Sequence, residues 1–265
     1  LLLTIFTAGL ATGVHLLSIL TIPAMAIFYY YKKWDGRTSV GGVVLSVIAG
    51  VGVIVFIQTF VIVGVPKLWH ALEIPLVNSF GLPVHSGIVP TVGIIIAAIY
   101  FGLRYAERKN SAGWQQIFVG VALLMVAYSI TGIVVIRAEA KPPVNMNNPD
   151  NVTSLLPYLN REQYGERDLL YGHNFDARVI ATDTEDRYGL VDGRYEFTNY
   201  KITPKYEKNK SSFFPRMSDG TQNRPKLYKQ WLGLNPDQPM PAGRPNFFDN
   251  LKFMFTYQFG QMYWR

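Results

Sequence analysis

Cysteine is absent from the 265 residues, so neither a disulfide nor a thiolate zinc site is open to this chain, and the redox compartment cannot be read from it. Histidine is scarce, with four in all. There is no Walker loop, GxSxG elbow, HExxH pair or internal repeat. His173 with Asp176, and Asp183 with Glu185 and Asp186, read as solvated turns, and no metal is expected. Charge is scarce in the first half. Residues 1–137 carry eight Lys or Arg and three Asp or Glu, whereas residues 138–265 carry seventeen and fifteen. Most of the net charge of +7 therefore lies beside apolar runs. That placement excludes the basic stripe of a nucleic-acid binder, so no nucleic-acid partner is expected. The chain opens on Leu1 inside an apolar run, without Met or a basic flank. This start reads as an internal stretch of a longer protein, not as a signal peptide.

Long apolar runs fill the first half. A hydrocarbon core of about 30 Å takes roughly 20 apolar residues as a helix. Four runs meet that length, at about 1–30, 40–65, 88–103 and 114–136. Cations orient them: Lys32, Lys33 and Arg37 occupy the first connection, Arg104, Arg108 and Lys109 the third, and only Lys67 the second. The first and third connections are expected in the cytoplasm, and the second, with everything after Ile136, outside. Gly9 and Gly13 form a GxxxG pair, and Gly41, Gly42, Gly50 and Gly52 line the second run, a spacing that favours close helix packing in lipid. Pro23 and Pro90 are expected to kink their spans. His15 is the one titratable side chain well inside a run, either a functional group or a neutral partner to a neighbouring helix. The second connection, 66–87, reads as an interfacial element with Trp69 as its anchor. Its polar interruptions are Glu73, Asn78, His85 and Ser86. Glu73 is its only carboxylate, either solvated or part of a site.

At 136–165 the polar side chains become dense and varied. Arg137 follows a span directly, where a guanidinium reaches phosphates and carbonyls. Pro142 and Pro143 stop the helix. Asn148 and Pro149 read as an N-cap and a first-turn proline, with Asp150 favoured by the helix dipole. Val152, Leu155, Leu156 and Leu159 follow the spacing of one buried helix face, Pro157 predicts a kink, and Gly165 a C-cap. Asp192–Gly193 predicts a hairpin turn. Residues 179–182 and 202–206 read as strands, 225–232 as a helix and 235–246, with four prolines, as a loop. The aromatic-rich 246–265 reads as an interfacial or re-entrant helix, with a buried core helix as the alternative.

Several blocks resemble a large bacterial membrane-protein family, common in Bacteroidetes, first catalogued as a domain of unknown function and related to the eukaryotic multi-span protein O-mannosyltransferases. They are GVHLLSILTIPA (13–24), VNSFGLPVHSG (77–87), IRAEAKPPVNMNNPDN (136–151), YLNREQYG (158–165), FFPRMSD (213–219) and NLKFMFTYQFGQMYWR (250–265). The resemblance implies a type-C glycosyltransferase that takes sugar from a polyprenyl-phosphate donor and transfers it on the outer face. It also implies an acidic base in a first outer loop that this chain does not contain, so no catalytic residue is assigned. Transfer to a Ser or Thr hydroxyl requires cations to steady the departing lipid phosphate. Arg137 and Arg161 are the candidates for that role. Asn145, Asn148, Asp150, Glu162 and Tyr164 are candidates for sugar or acceptor hydroxyls, and His15, Glu73, Asn78 and His85 for a shared cavity.

The expected fold is an α-helical membrane region over 1–137 with about four spans, followed by a mixed α+β extracytoplasmic domain over 138–265. The expected function is a glycosyltransferase of the bacterial inner membrane that moves a mannose-like sugar onto protein Ser or Thr. Its partners would be membrane lipid, the lipid-linked sugar and a protein acceptor, with no other cofactor. The alternative is a non-catalytic membrane scaffold that holds a partner or an envelope glycan. A transporter is weaker, since the spans lack paired charges and broken inverted repeats.

Overall fold

The computed structural model describes residues 1–35, 38–165 and 167–264. Arg37, one of the cations used to orient the first connection, lies outside the described residues. Two compact units are formed, Leu1–Gln163 with Tyr188–Phe197, and Tyr164–Arg187 with Thr198–Arg265. Residues 138–163, expected with the second domain, thus fall in the first unit.

In the first unit the run 1–30 is not one continuous helix. Helix α1 (Leu2–Val14) ends where His15 turns extended (φ −145°, ψ 110°), a 3-10 segment covers Leu16–Thr21, and α2 (Ile22–Lys33) follows. Helix α3 (Val40–Phe56) passes through a π-helical segment (Ile57–Val63) into α4 (Gly64–Asn78). Helix α5 (Ile88–Arg108) follows, then α6 (Ala112–Tyr128), which continues through a 3-10 turn into α7 (Gly132–Glu139). Three of these continuous helices, Val40–Asn78, Ile88–Arg108 and Ala112–Glu139, are long and apolar enough to cross a membrane. Their exposed large apolar side chains, such as Leu45, Ile48, Val55 and Ile96, suit a lipid surface better than water. These features mark the chain as a membrane protein.

The element expected within 66–87 is helix α4, and it continues the helix over 40–78 where the span was expected to end near Val65. At 39 residues the helix over 40–78 would reach about 58 Å, roughly twice a hydrocarbon core. Pro66 does not break it, because the wide π turn just before it shifts the hydrogen-bond register where the missing N–H would fall. Pro23 and Pro90 each stand near the start of a helix, and the break in the first run falls just before Pro23, over Leu16–Thr21. Both lie in a first turn, where no intrahelical N–H is needed. The GxxxG pair packs α1 on α6. A Cβ at Gly9 would lie 2.8 Å from the Ala127 Cβ, and one at Gly13 2.4 Å from Ile130 Cγ2.

Helix α8 (Val152–Leu159) closes the main stretch of this unit. Its N-cap is Asn151, not Asn148: Asn151 Oδ1 accepts from the amides of Thr153 and Ser154, and Ser154 Oγ accepts from Asn151 N in return. Asn148 instead takes a left-handed φ of 38°. Val152, Leu155 and Leu159 are buried in the core with Trp69 and Val77 of α4, each contributing about 1.5–3 kcal/mol. Helix α8 runs through Pro157 to Leu159, at the cost of the bond that the residue 157 amide would otherwise give to the Thr153 carbonyl. Gly165 takes the left-handed turn expected of it, at φ 75°, but after the 3-10 turn Glu162–Tyr164 and not directly after α8.

The second unit holds an antiparallel pair, β1 (Tyr171–His173) with β4 (Ser211–Phe213), in the register Gly172 opposite Ser212. Strands β2 (Val179–Val191) and β3 (Arg194–Tyr206) make a two-stranded hairpin, with its tip Tyr188–Phe197 counted in the first unit, that absorbs both short strands expected at 179–182 and 202–206. Its turn is Asp192–Gly193, with φ of 46° and 81° as the tight hairpin turn requires. Helix α9 (Arg224–Leu232) begins with Pro225 in its first turn and ends at Gly233, φ 77°. It packs Tyr228 and Leu232 on Met217 and on Phe253 of α10 (Phe247–Phe253). A π-helical segment, Met254–Tyr263, continues α10, with Phe255, Met262 and Tyr263 exposed.

Candidate functional site

The first unit contains a cluster of polar contacts built on α4. Glu73 is fully buried, which overturns the reading of it as a solvated interfacial carboxylate. Trp69 Nε1, one turn earlier, donates to Oε2 at 3.0 Å, and the Gly87 amide donates to the same oxygen at 2.7 Å. The His85 amide at 2.5 Å and the Tyr195 hydroxyl at 3.2 Å donate to Oε1. Both oxygens are thus occupied by two donors each, which is how a buried carboxylate is tolerated without a cation. Gly87 is required by the close approach, since a Cβ there would lie 2.7 Å from Glu73 Oε2 and 2.8 Å from its backbone N.

Tyr195 reaches Glu73 from the tip of the hairpin. Asn78, the last residue of α4, fixes the tyrosine's backbone as a strand would: its Nδ2 donates to Tyr195 O at 2.8 Å and its Oδ1 accepts from Tyr195 N at 2.9 Å. Burial pushes the Tyr195 phenol well above the usual tyrosine range, and the charge and hydrogen bond of Glu73 and the charge of Asp150 push it further. A phenol raised in the folded state leaves stability intact below the unfolded value near ~10, and the contribution is lost as pH rises from there through the folded value. Tyr195→Phe is therefore expected to reduce the alkaline loss of stability above about pH 10. Thermal midpoints between neutral pH and the alkaline limb, compared with wild type, check this.

A second set of contacts lies at the seam. Asp150 Oδ1 accepts from Asn151 Nδ2 at 2.7 Å, and its Oδ2 from Asn148 Nδ2 at 2.7 Å. Asn145 Nδ2 donates to Asn148 Oδ1 at 2.5 Å and to the carbonyl of Ala138 in α7 at 3.2 Å. One residue on from Ala138, Glu139 Oε1 lies 3.6 Å from His85 Nε2, which links this side to the loop that donates to Glu73. His85 holds a left-handed φ of 74°, and its Nδ1 and the hydroxyl of Ser86 are buried without a hydrogen-bond partner among the described residues. Arg137 is exposed in the last turn of α7, next in sequence to Ala138. On the outside of α4 lies an open groove of about 550 Å³, lined by His70, Ala71, Ile74, Pro75, Asn78, Ser79 and Tyr188.

Of the expected site residues, Glu73, Asn78, His85, Asn145, Asn148 and Asp150 are thus brought together. The others are not. His15 is exposed at the helix break, where its Nδ1 accepts from Leu17 N. Arg161 is exposed with a left-handed φ of 57° just past α8. Glu162 accepts from Asn160 Nδ2 at 3.4 Å, and Tyr164 falls in the second unit. Sequence reasoning missed the roles of Tyr195 and Gly87 and took Trp69 for a membrane anchor. The Trp69–Glu73 spacing of one helical turn was the one local signal for the cluster.

In the second unit, Asp176 pairs with Lys210 and Asp183 with Lys205, each at 2.6 Å. His173 stacks on Tyr206, with ring centroids 3.6 Å apart. Among the described residues no group of three His, Asp or Glu is placed to hold a metal. Buried Asn174, Ser212 and Asn250 form a chain in which Ser212 Oγ donates to Asn174 Oδ1 at 2.7 Å and accepts from Asn250 Nδ2 at 3.1 Å.

A helical unit with membrane-length apolar helices, an occupied buried carboxylate and a polar seam defines the class, a membrane protein with a small second unit. Residues 1–38 match the profile described as the Protein O-mannosyl-transferase TMEM260 N-terminal domain. This supports a relation to that O-mannosyl-transferase group and suggests a glycosyltransferase-like protein. Residues 165–255 match a family of unknown function, DUF8416. No curated protein and no solved structure matches the chain.

Proposed function

We propose that the chain serves a membrane glycosyltransferase that moves a mannose-like sugar from a polyprenyl-phosphate carrier to Ser or Thr of a protein, at the outer face of a bacterial inner membrane. The match of residues 1–38 to an O-mannosyl-transferase N-terminal domain carries this reading. An exposed guanidinium, Arg137, at the end of an apolar helix next in sequence to the carbonyl that Asn145 meets, is consistent with it. In the proposed reaction the acceptor hydroxyl oxygen bonds to the anomeric carbon as the bond from that carbon to the carrier phosphate breaks. The departing phosphate keeps the electron pair and meets Arg137, while the hydroxyl proton passes to a carboxylate. Glu73 is not that base, because four donors already occupy it.

The experiment is a transfer assay on the full-length protein in liposomes, with labelled polyprenyl-phospho-mannose and a Ser/Thr-rich peptide. Sugar attached to a Ser or Thr of the peptide is the expected product. A folded protein that binds donor and releases no glycopeptide would overturn the reading. The commitment of both Glu73 and Asp150 to internal donors favours a second reading, a non-catalytic membrane subunit that holds a partner or an envelope glycan. Binding of an acceptor glycan or partner without turnover would select it.

A further inference from the structure

A second cavity, of about 400 Å³, lies at the C-terminal end of α5, lined by Tyr100, Phe101, Arg104, Tyr105 and Arg108. Tyr100, Arg104 and Arg108 recur at four-residue spacing and share one stripe of the helix, with Phe101 and Tyr105 on the stripe beside it. Arg104 Nε donates to the Tyr100 hydroxyl at 3.2 Å, and its guanidinium carbon lies 5.7 Å from the ring centroid. The phenol thus holds the cation without neutralising it. Tyr105 meets Trp114 edge-on, with centroids 6.3 Å apart, which steadies the other wall. Glu107, 3.7 Å from Arg104 Nη1, is the one acidic side chain here, against Arg104, Arg108 and Lys109.

The position of the groove decides what it meets. Helix α5 has 21 residues, about 31 Å, which closely matches a hydrocarbon core of about 30 Å. Its last turn therefore lies at the level of lipid phosphates, and Phe101, 68% exposed, lies about two turns deeper, among acyl chains. We propose that this groove binds an anionic phospholipid, with the phosphate against Arg104 and Arg108 and an acyl chain along Phe101 and the tyrosine faces. The excess of cations disfavours a zwitterionic headgroup, whose ammonium they would repel. The apolar floor distinguishes a lipid from free phosphate. At the end of α2, Lys33 lies 4.8 Å from the Trp34 ring centroid and 5.8 Å from that of Tyr29, and neither Lys32 nor Lys33 lines the groove.

Native mass spectrometry of the full chain in neutral detergent, titrated with phosphatidylglycerol, phosphatidylcholine or inorganic phosphate, tests the proposal independently of any transferase activity. One phosphatidylglycerol adduct is expected, with phosphatidylcholine at least about tenfold weaker. Removing both charges in Arg104→Gln/Arg108→Gln is expected to weaken it roughly thirtyfold, whereas Lys32→Gln/Lys33→Gln leaves it unchanged. If the Gln pair misfolds, Arg104→Lys/Arg108→Lys keeps the charge but loses the planar fork, and an intermediate loss is expected. Equal binding of phosphatidylcholine, equal loss in the two Gln pairs, unchanged binding in the folded Lys pair, or displacement by millimolar inorganic phosphate would overturn it.

Discussion

Glu73→Ala is expected to lower the stability of the first unit by about 4 kcal/mol or more, because it orphans four buried donors that each cost about 1–3 kcal/mol when left unmade. Against a typical total of about 5–15 kcal/mol, such a loss threatens folding. Two of the four donors are backbone amides, His85 and Gly87, which no rotamer change can return to water. The others, Trp69 and Tyr195, are themselves buried. Glu73→Gln is the sharper version. It keeps the volume, but its NH₂ must face two donors whichever way the amide turns, so it is expected to recover little of the loss. Thermal midpoints and protease resistance in detergent check both variants. A Gln variant as stable as wild type would show that Glu73 fills space and does not organise the cluster.

Asp249→Ala is expected to produce the largest loss in the second unit, about 3 kcal/mol by the measure of buried pairs that lose one partner. Arg244 donates to Asp249 through both Nε, at 2.9 Å, and Nη2, and the Asn246 amide adds a third donor at 3.0 Å. Asn246 Oδ1 accepts from Asp249 N in return, so the substitution also removes half of the α10 capping box. Burial alone would raise the Asp249 carboxyl. The hydrogen bonds from Arg244 and Asn246 and the charges of Arg244 and Lys252 outweigh it, and the carboxyl lies below the usual carboxylate range. Its contribution is therefore fully present above the unfolded value near ~3.9 and is lost as pH falls through the lower folded value. Asp249→Asn should accordingly flatten the acid limb of the stability profile below about pH 4. An acid limb identical to wild type would remove Asp249 from this role.

The parts of the fold that were legible in the sequence are those set by near neighbours. The Asp192–Gly193 turn, the buried stripe of α8 and the proline start of α9 each depend on residues within one or two turns. The continuity of α4 was not legible, because Pro66 and the polar residues after it read as a separate element until the π-helical segment before them is known. His15 ends α1 for a reason that hydropathy does not register, a side chain that accepts from its own next turn. The candidate site divides in the same way. The density of Asn and Asp before α8 marked the seam, and Arg137 marked its edge. The fourth donor to Glu73 is 122 residues away in sequence, so the carboxylate looked solvated. Burial of a charge depends on what the fold brings to it, and Tyr195 carries no local sign of its partner.

The most direct test of the seam as the working surface is turnover by the full-length protein carrying Arg137→Ala or Asp150→Ala, with the thermal midpoint measured on the same samples. The account predicts transfer reduced by about a hundredfold for Arg137→Ala, the scale of losing one charge-stabilising group at a departing phosphate. It also predicts a clear loss for Asp150→Ala, with both proteins folded. Normal turnover in both would remove the two residues from the site and with them the case for the seam.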